Sequence, residues 1–204
     1  MPPNPIRAAL ARGETIVAMW MALGSPEIAE AAVHHGFPFV IVDNEHGLSD
    51  FAKAVELQRA AQAAGGDVIL RVPAADPTLL KLAMDRGFQT IMAPMINTGA
   101  QAKAFADACR YPPIGTRGYA AGAIRASGYG AQKDYLTRSS EEVLLLAQIE
   151  HKDAVDNIEA IAATPGIDGL FLGPNDLAGS IGRLEQLDHP DVMALCERME
   201  EATL

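Results

Sequence analysis

In the run FPFVIVDNEHG, Asp43, Glu45 and His46 fall within four residues, where an apolar stretch ends. An acid beside a histidine orients the imidazole and raises its basicity, which makes His46 a candidate general base. A histidine at a strand end also serves as plain structure, and both readings stand at this point. Arg71, inside ILRVP, is a lone arginine at the end of an apolar run. It needs either an ion pair with Asp43 or Glu45, or a polar pocket where its fork holds an oxyanion or carboxylate. Glu150 closes LLLAQIE and Asp176 follows LFLGPND. Two carboxylates past neighbouring strands, with water completing the shell, suit a hard divalent cation. Alternatively each caps the helix that follows. The segment GPNDLAGSIG offers backbone amides to a phosphate or carboxylate, and YPPIGTRGYAAG presents Arg117 in a Pro/Gly loop. No His-rich cluster suggests a tetrahedral zinc site. His34 and His35 fall at a helix end, and His151 and His189 in turns.

These residues must be held by something, and the pattern around them is regular. Short apolar runs alternate with helical segments closed by Gly, and capping signals such as Ser25-Pro26 and Asp76-Pro77 open the helices. The runs ETIVAMWMAL, FPFVIV, DVILRVP, FQTIMAPMI, EVLLLAQIE and IDGLFLGP read as strands, with a further short strand expected near Gly118 to Ala121, about seven in all. Ser49 is expected to cap the helix after the second strand. Continuous apolarity implies strands covered on both faces, and strand–helix alternation implies parallel crossovers. A doubly wound sheet and a (β/α)8 barrel both fit. The first strand lacks a glycine-rich loop, and polar residues stand at the end of nearly every strand. That distribution selects the (β/α)8 TIM barrel, whose site gathers at the C-terminal strand ends. An eighth strand is missing, and such barrels typically take about 250 residues. The expectation is therefore one α/β barrel domain over residues 1–204, incomplete at its C-terminus.

The 204 residues are 49% apolar and 21% charged, with a net charge of −10. That excludes a basic nucleic-acid or anionic-membrane surface, while leaving room for a few arginines to hold a small anion. No apolar run is long enough for a membrane span, the N-terminus lacks a signal-peptide core, and Cys109 and Cys196 match no metal spacing. A cytoplasmic protein with reduced core thiols is expected.

The ordered set VDNEHG, RVP, GFQTIMAPMI, YPPIGTRGYA, LLLAQIE and IDGLFLGPNDLAGSIG resembles the HpcH/HpaI aldolase family, over residues from about 14 to 198. The resemblance implies a metal-dependent class II pyruvate aldolase on a (β/α)8 barrel. It implies a homo-oligomer, commonly a hexamer, that exchanges C-terminal helices. By position, Glu150 and Asp176 match the ligands of a divalent cation (Mg2+, Mn2+ or Co2+). His46 matches the base with Asp43 as its partner, and Arg71 the group that stabilises the enolate. Asp85 matches an acid that supports the histidine from a neighbouring subunit. Gln148, Gly173, Pro174, Asn175 and Asp176 fall at substrate-contacting positions, although a serine is common where Asn175 stands. Glu45 is given only a supporting place. The expected substrates are a 2-oxo acid, pyruvate or hydroxypyruvate, and an aldehyde. Rival expectations are an acyl-CoA lyase of the citrate lyase type, a Schiff-base aldolase using Lys152, and a non-catalytic 2-oxo acid binding barrel.

Overall fold

The computed structural model describes residues 1–203; Leu204, the last residue of the expected domain, lies outside the described residues. The chain runs α1 (Pro5–Ala11), β1 (Ala18–Met21), α2 (Pro26–His34), β2 (Phe39–Asp43), α3 (Phe51–Ala63), β3 (Asp67–Arg71), α4 (Pro77–Asp85), β4 (Thr90–Ala93) and α5 (Gly99–Ala108). A 3-10 turn at Arg125–Ser127 precedes α6 (Tyr135–Glu142), β5 (Leu144–Ile149), α7 (Lys152–Asp156), α8 (Ile158–Ala162), β6 (Gly169–Leu172), α9 (Pro174–Ser180) and α10 (Pro190–Thr203).

The six strands form one parallel sheet in chain order, β1 to β6. A doubly wound sheet reverses its order at a switch point. This one never does, and it curls as a barrel wall does, leaving β1 and β6 as edges among the described residues. Side chains alternate across it, as the period of two requires. Val40, Val42, Leu70, Ile91, Ala93, Leu145 and Ala147 face the outer helices. Phe39, Ile41, Ile69, Met92, Leu144, Leu146 and Phe171 face the concave interior.

Two expectations change here. The stretch Gly118 to Ala121 is not a strand. Glycines at 118 and 122 bracket it, and Ala121 instead packs with Tyr111 and Tyr135 in a small separate cluster. Asp50, not Ser49, caps α3. The Ser49 hydroxyl donates to Asn44 Oδ1 (2.8 Å) and to the Asp43 carbonyl (3.2 Å), which ties down the loop after β2.

Two elements are unexpected, α6, which begins at Tyr135, and α1. Asn4 caps it, accepting from the Ile6 and Arg7 amides, and Pro5 occupies the first turn. The Asn4 amide group donates to Thr90 Oγ1 and to the Glu142 carbonyl, both at 3.0 Å. Arg7 reaches Asp168 at 2.6 Å. These partners all stand where strands begin, so α1 lies across the floor, with Ile6 driven into the inner core. The opposite end, where strands finish, stays open.

Candidate active site

The inward parity that buries Ile41, Ile69 and Leu146 continues to the strand ends and there delivers Asp43, Arg71, Gln148 and Glu150 to the same rim. Asp43 and Arg71 are register partners on adjacent strands. The guanidinium grips the carboxylate with both arms, Nε to Oδ1 at 2.9 Å and Nη2 to Oδ2 at 2.7 Å. Asp43 Oδ1 also accepts the backbone N–H groups of Glu45 (3.0 Å) and His46 (3.2 Å). Burial raises the Asp43 pKa, but Arg71 and these two amides outweigh it and hold the carboxyl below its ordinary 3.8. The indole of Trp20, on β1, lies under the Arg71 guanidinium at 4.6 Å. Burial opposes the Arg71 charge, and the carboxylates of Asp43, Glu45 and Glu150 raise its pKa in spite of it.

Asp43 therefore faces Arg71, and the acid nearest the His46 ring is Glu45. His46 Nε2 stands 3.7 Å from Glu45 Oε1, on a side chain that is 68% exposed. Glu45 Oε2 lies 3.0 Å from Arg71 Nη1. Burial first, then the charges of Asp43 and Asp176, raise the Glu45 pKa against the pull of Arg71 and His46. Gly47 lets the loop fold back, because a Cβ there would lie 2.3 Å from the Asp43 carbonyl oxygen.

Glu150 is 1% exposed. Its Oε1 accepts the Met95 N–H at 2.7 Å, and its Oε2 accepts a short bond from the Gln148 amide. Met95 makes its bond from a left-handed backbone (φ 56°), which a side-chain-bearing residue adopts only at a cost. Gln148 Oε1 is buried without a partner. Burial, joined by the charges of Glu45 and Asp176, raises the Glu150 pKa, opposed by the Met95 and Gln148 bonds. Gly173, at the end of β6, presses on this carboxylate: an added Cβ would stand 2.6 Å from Glu150 Oε2 and 3.1 Å from Gln148 Nε2.

Asp176 and Asn175 are exposed in the first turn of α9. Neither Asp176 nor Glu150 caps a helix: α9 has no side-chain cap, and α7 is capped by His151. The Gly173 N–H is spent on the Ile149 carbonyl (2.9 Å), and Pro174 has none. Only the Asn175 and Asp176 amides at the start of α9 lack an intrahelical acceptor.

The remaining expected residues lie elsewhere. Asp85 ends α4, at the floor end, where it binds Arg117 at 2.6 Å. Arg117 is buried, bonded to the Tyr135 hydroxyl (3.1 Å) and stacked on Tyr111 (4.4 Å), so its charge is used internally rather than offered to a ligand. Met95 and Trp20 are rim residues that sequence reasoning missed. Trp20 shares the inward parity of β1, a signal that was available; a left-handed Met95 leaves no mark in a sequence.

The donor set suits a hard cation. The charge of Asp176 reaches both Glu45 and Glu150, and all three side chains supply only oxygen. Among the described residues no three His, Cys, Asp or Glu side chains close around a point. A Mg2+-like ion needs no such cage, since it keeps several waters and takes one or two carboxylates.

The model of the HpcH/HpaI aldolase/citrate lyase family matches residues 17–203. The chain is 45% identical over 184 residues to a 4-hydroxy-2-oxovalerate aldolase of Novosphingobium aromaticivorans, covering 90% of this chain and 70% of that one. It is 38% identical over 203 residues to a hydroxypyruvate/pyruvate aldolase of Chromohalobacter salexigens, covering 100% and 80%. Among solved structures, an HpcH/HpaI aldolase/citrate lyase family protein from Burkholderia cenocepacia superposes with a TM-score of 0.93 at 38% identity, covering 98% of this chain and 80% of that one. With a family match over nearly its whole length, the chain belongs to the HpcH/HpaI aldolase/citrate lyase family.

Proposed function

We propose that the chain is a carbon–carbon lyase that reversibly cleaves 4-hydroxy-2-oxo acids to pyruvate, or a related 2-oxo acid such as hydroxypyruvate, and an aldehyde. The observation that carries this reading is the convergence of Asp43-clamped Arg71 and buried Glu150 on one rim. The relatives named as aldolases support it.

Glu150 and Asp176 are the residues that would hold a divalent cation, Mg2+, Mn2+ or Co2+. Such an ion supplies Lewis acidity at the keto oxygen of the 2-oxo acid. Gln148 and the Asn175 and Asp176 amides contact the substrate carboxylate. Arg71 stabilises the enolate oxygen. Its bidentate grip on Asp43 fixes the guanidinium before charge develops, so little reorganisation is needed at the moment of reaction. His46 belongs to the arm that moves the proton between substrate and solvent. The enolate then adds to the aldehyde, and the reverse direction begins with loss of the C4-hydroxyl proton.

The enzyme works in the cytosol as a homo-oligomer, with Asp85 of one subunit supporting His46 of the next. In one chain Asp85 stands at the floor end and His46 at the rim, the separation that a role across a subunit boundary requires. No described helix is long and apolar enough to cross a membrane.

The test is pyruvate release from 4-hydroxy-2-oxovalerate. Chelator should abolish it and Mg2+, Mn2+ or Co2+ restore it. Full cleavage by metal-stripped protein would remove the cation from the reading, and no cleavage of any 4-hydroxy-2-oxo acid would remove the activity.

A further inference from the structure

The floor end carries a recess of its own, away from the strand-end rim. It holds about 220 Å3 between the end of α3, the α4–β4 turn, the 3-10 turn and the start of α6. That is below the range of about 300–1,000 Å3 usual for drug-sized ligands, so any occupant is small. Met84, Phe88 and Tyr135, all buried, give the recess an apolar wall. Its cation is Arg125, on the 3-10 turn and half-buried. Arg125 Nη1 donates to Gln58 Oε1 (2.7 Å) and to the Arg86 carbonyl, both neutral acceptors. No carboxylate among the described residues forms an ion pair with it, and burial first, then the like charge of Arg59, lowers its pKa. Asp67 acts on it only from a distance, because Asp67 Oδ1 is taken by the Val68 N–H (2.8 Å) and Gln62 Nε2 (3.0 Å). The terminal ammonium of Met1, which borders the recess, is paired with Asp134 at 2.7 Å. A half-buried guanidinium with only neutral acceptors keeps a charge that an anion would take. In the same recess Gln132 Oε1 is buried with no donor. A buried acceptor left without a donor costs free energy that a hydroxyl would return.

We propose that this floor recess is a binding site for a small hydroxycarboxylate with a short alkyl body. The carboxylate meets Arg125, the hydroxyl donates to Gln132 Oε1, and the alkyl body lies against Met84, Phe88 and Tyr135. In a chain of net charge −10, Arg59 and Arg125 make this corner locally positive, which draws an anion in. The site shares no residue with the rim and does not depend on the aldolase reading.

The experiment follows the backbone amide resonances of the full chain during titration with four probes. These are 2-hydroxy-3-methylbutanoate, 3-methylbutanoate (no hydroxyl), 3-methylbutane-1,2-diol (no charge) and inorganic phosphate. The hydroxy acid should move the Gly87 and Ala126 amides with a Kd of about 1 mM. The acid without the hydroxyl and the diol should each bind at least about tenfold more weakly. Arg125→Gln should weaken the hydroxy acid by at least about tenfold. Gln132→Leu should bind the two acids equally, and it decides the matter if Arg125→Gln does not fold. No movement of Gly87 or Ala126 by about 20 mM hydroxy acid, or movement confined to rim amides such as Gly47, overturns the proposal. Inorganic phosphate binding as tightly as the hydroxy acid overturns it by making the site a plain anion site. A full preference for the hydroxyl in Gln132→Leu overturns it as well.

Discussion

Replacing Asp43 by Asn tests the clamp on Arg71, and its consequences follow atom by atom. The oxygen Oδ1 survives and can still accept Arg71 Nε and the Glu45 and His46 amides. Oδ2 becomes an NH2 group facing Arg71 Nη2, donor against donor at a separation that is now 2.7 Å. One charge-assisted bond is lost, worth about 1.5–3 kcal/mol. Breaking a buried pair outright costs about 3–5 kcal/mol. Here Glu45, 3.0 Å from Nη1, remains as a counter-charge, so the loss stays near that of the single charge-assisted bond, about 2–3 kcal/mol. For a chain of this size that is a fall in Tm of about 5–10 °C. The pH dependence carries a second signature. The native Asp43 pKa lies below its ordinary 3.8, so between the two values the unfolded state binds the extra proton. The stabilisation is complete above the unfolded pKa and is lost as pH falls through the native one. Urea unfolding of the parent and Asp43→Asn should show a constant gap from pH 7 to about 5, closing below about 4. Equal stabilities at pH 7, or a gap that persists unchanged to pH 3, would refute the clamp.

Three further outcomes are expected. Gly173→Ala puts a methyl 2.6 Å from Glu150 Oε2, so Mn2+ affinity measured by titration calorimetry should fall at least about tenfold; unchanged affinity would separate Gly173 from the cation site. Asn4→Ala removes a cap and two buried bonds to Thr90 and Glu142, so the urea midpoint should reflect a loss of about 2–4 kcal/mol, and a loss under about 0.5 would show the floor helix to be loosely held. Burial pushes the Cys109 thiol up to about 12, so at pH 8 it should stay silent to a thiol reagent until the protein unfolds, and prompt labelling of the native chain at Cys109 would contradict that burial.

Much of the architecture is legible in the sequence because parallel strands announce themselves. Apolar runs such as VILR and LLLAQIE read as strands buried on both faces, and each ends in a charged residue that must emerge at a rim. Counting by twos from Ile69 to Arg71, or from Leu146 to Gln148 and Glu150, is enough to place those side chains on the inner wall. The partner of Arg71 is among the alternatives that the sequence offers, since Asp43 and Glu45 are the acids on the preceding strand end. Which acid takes which partner is not legible. Asp43 still obeys the parity of β2, but Asn44, Glu45 and His46 turn through a loop, and a loop has no fixed parity to say that Glu45 points toward His46. The floor helix escapes a reading of apolar periodicity, although Asn4-Pro5 is a helix-opening signal. The strand expected at Gly118 to Ala121 does not form: of GYAA only Tyr119 favours a strand, and glycines at 118 and 122 flank so brief a segment.

The floor helix also has a bearing on time. Every strand pairs with the one made just before it, so the sheet can grow in the order of synthesis. The contacts of α1 obey no such order: Asn4 must meet Thr90 and Glu142, 86 and 138 residues away, and Arg7 must meet Asp168, 161 residues away. Loops of that length close only after the intervening wall exists. The first helix to be synthesised therefore completes its contacts only once residue 168 has been made. Until it arrives, the inner faces of Ile41, Ile69 and Met92 lack the cover that Ile6 gives them in the folded chain.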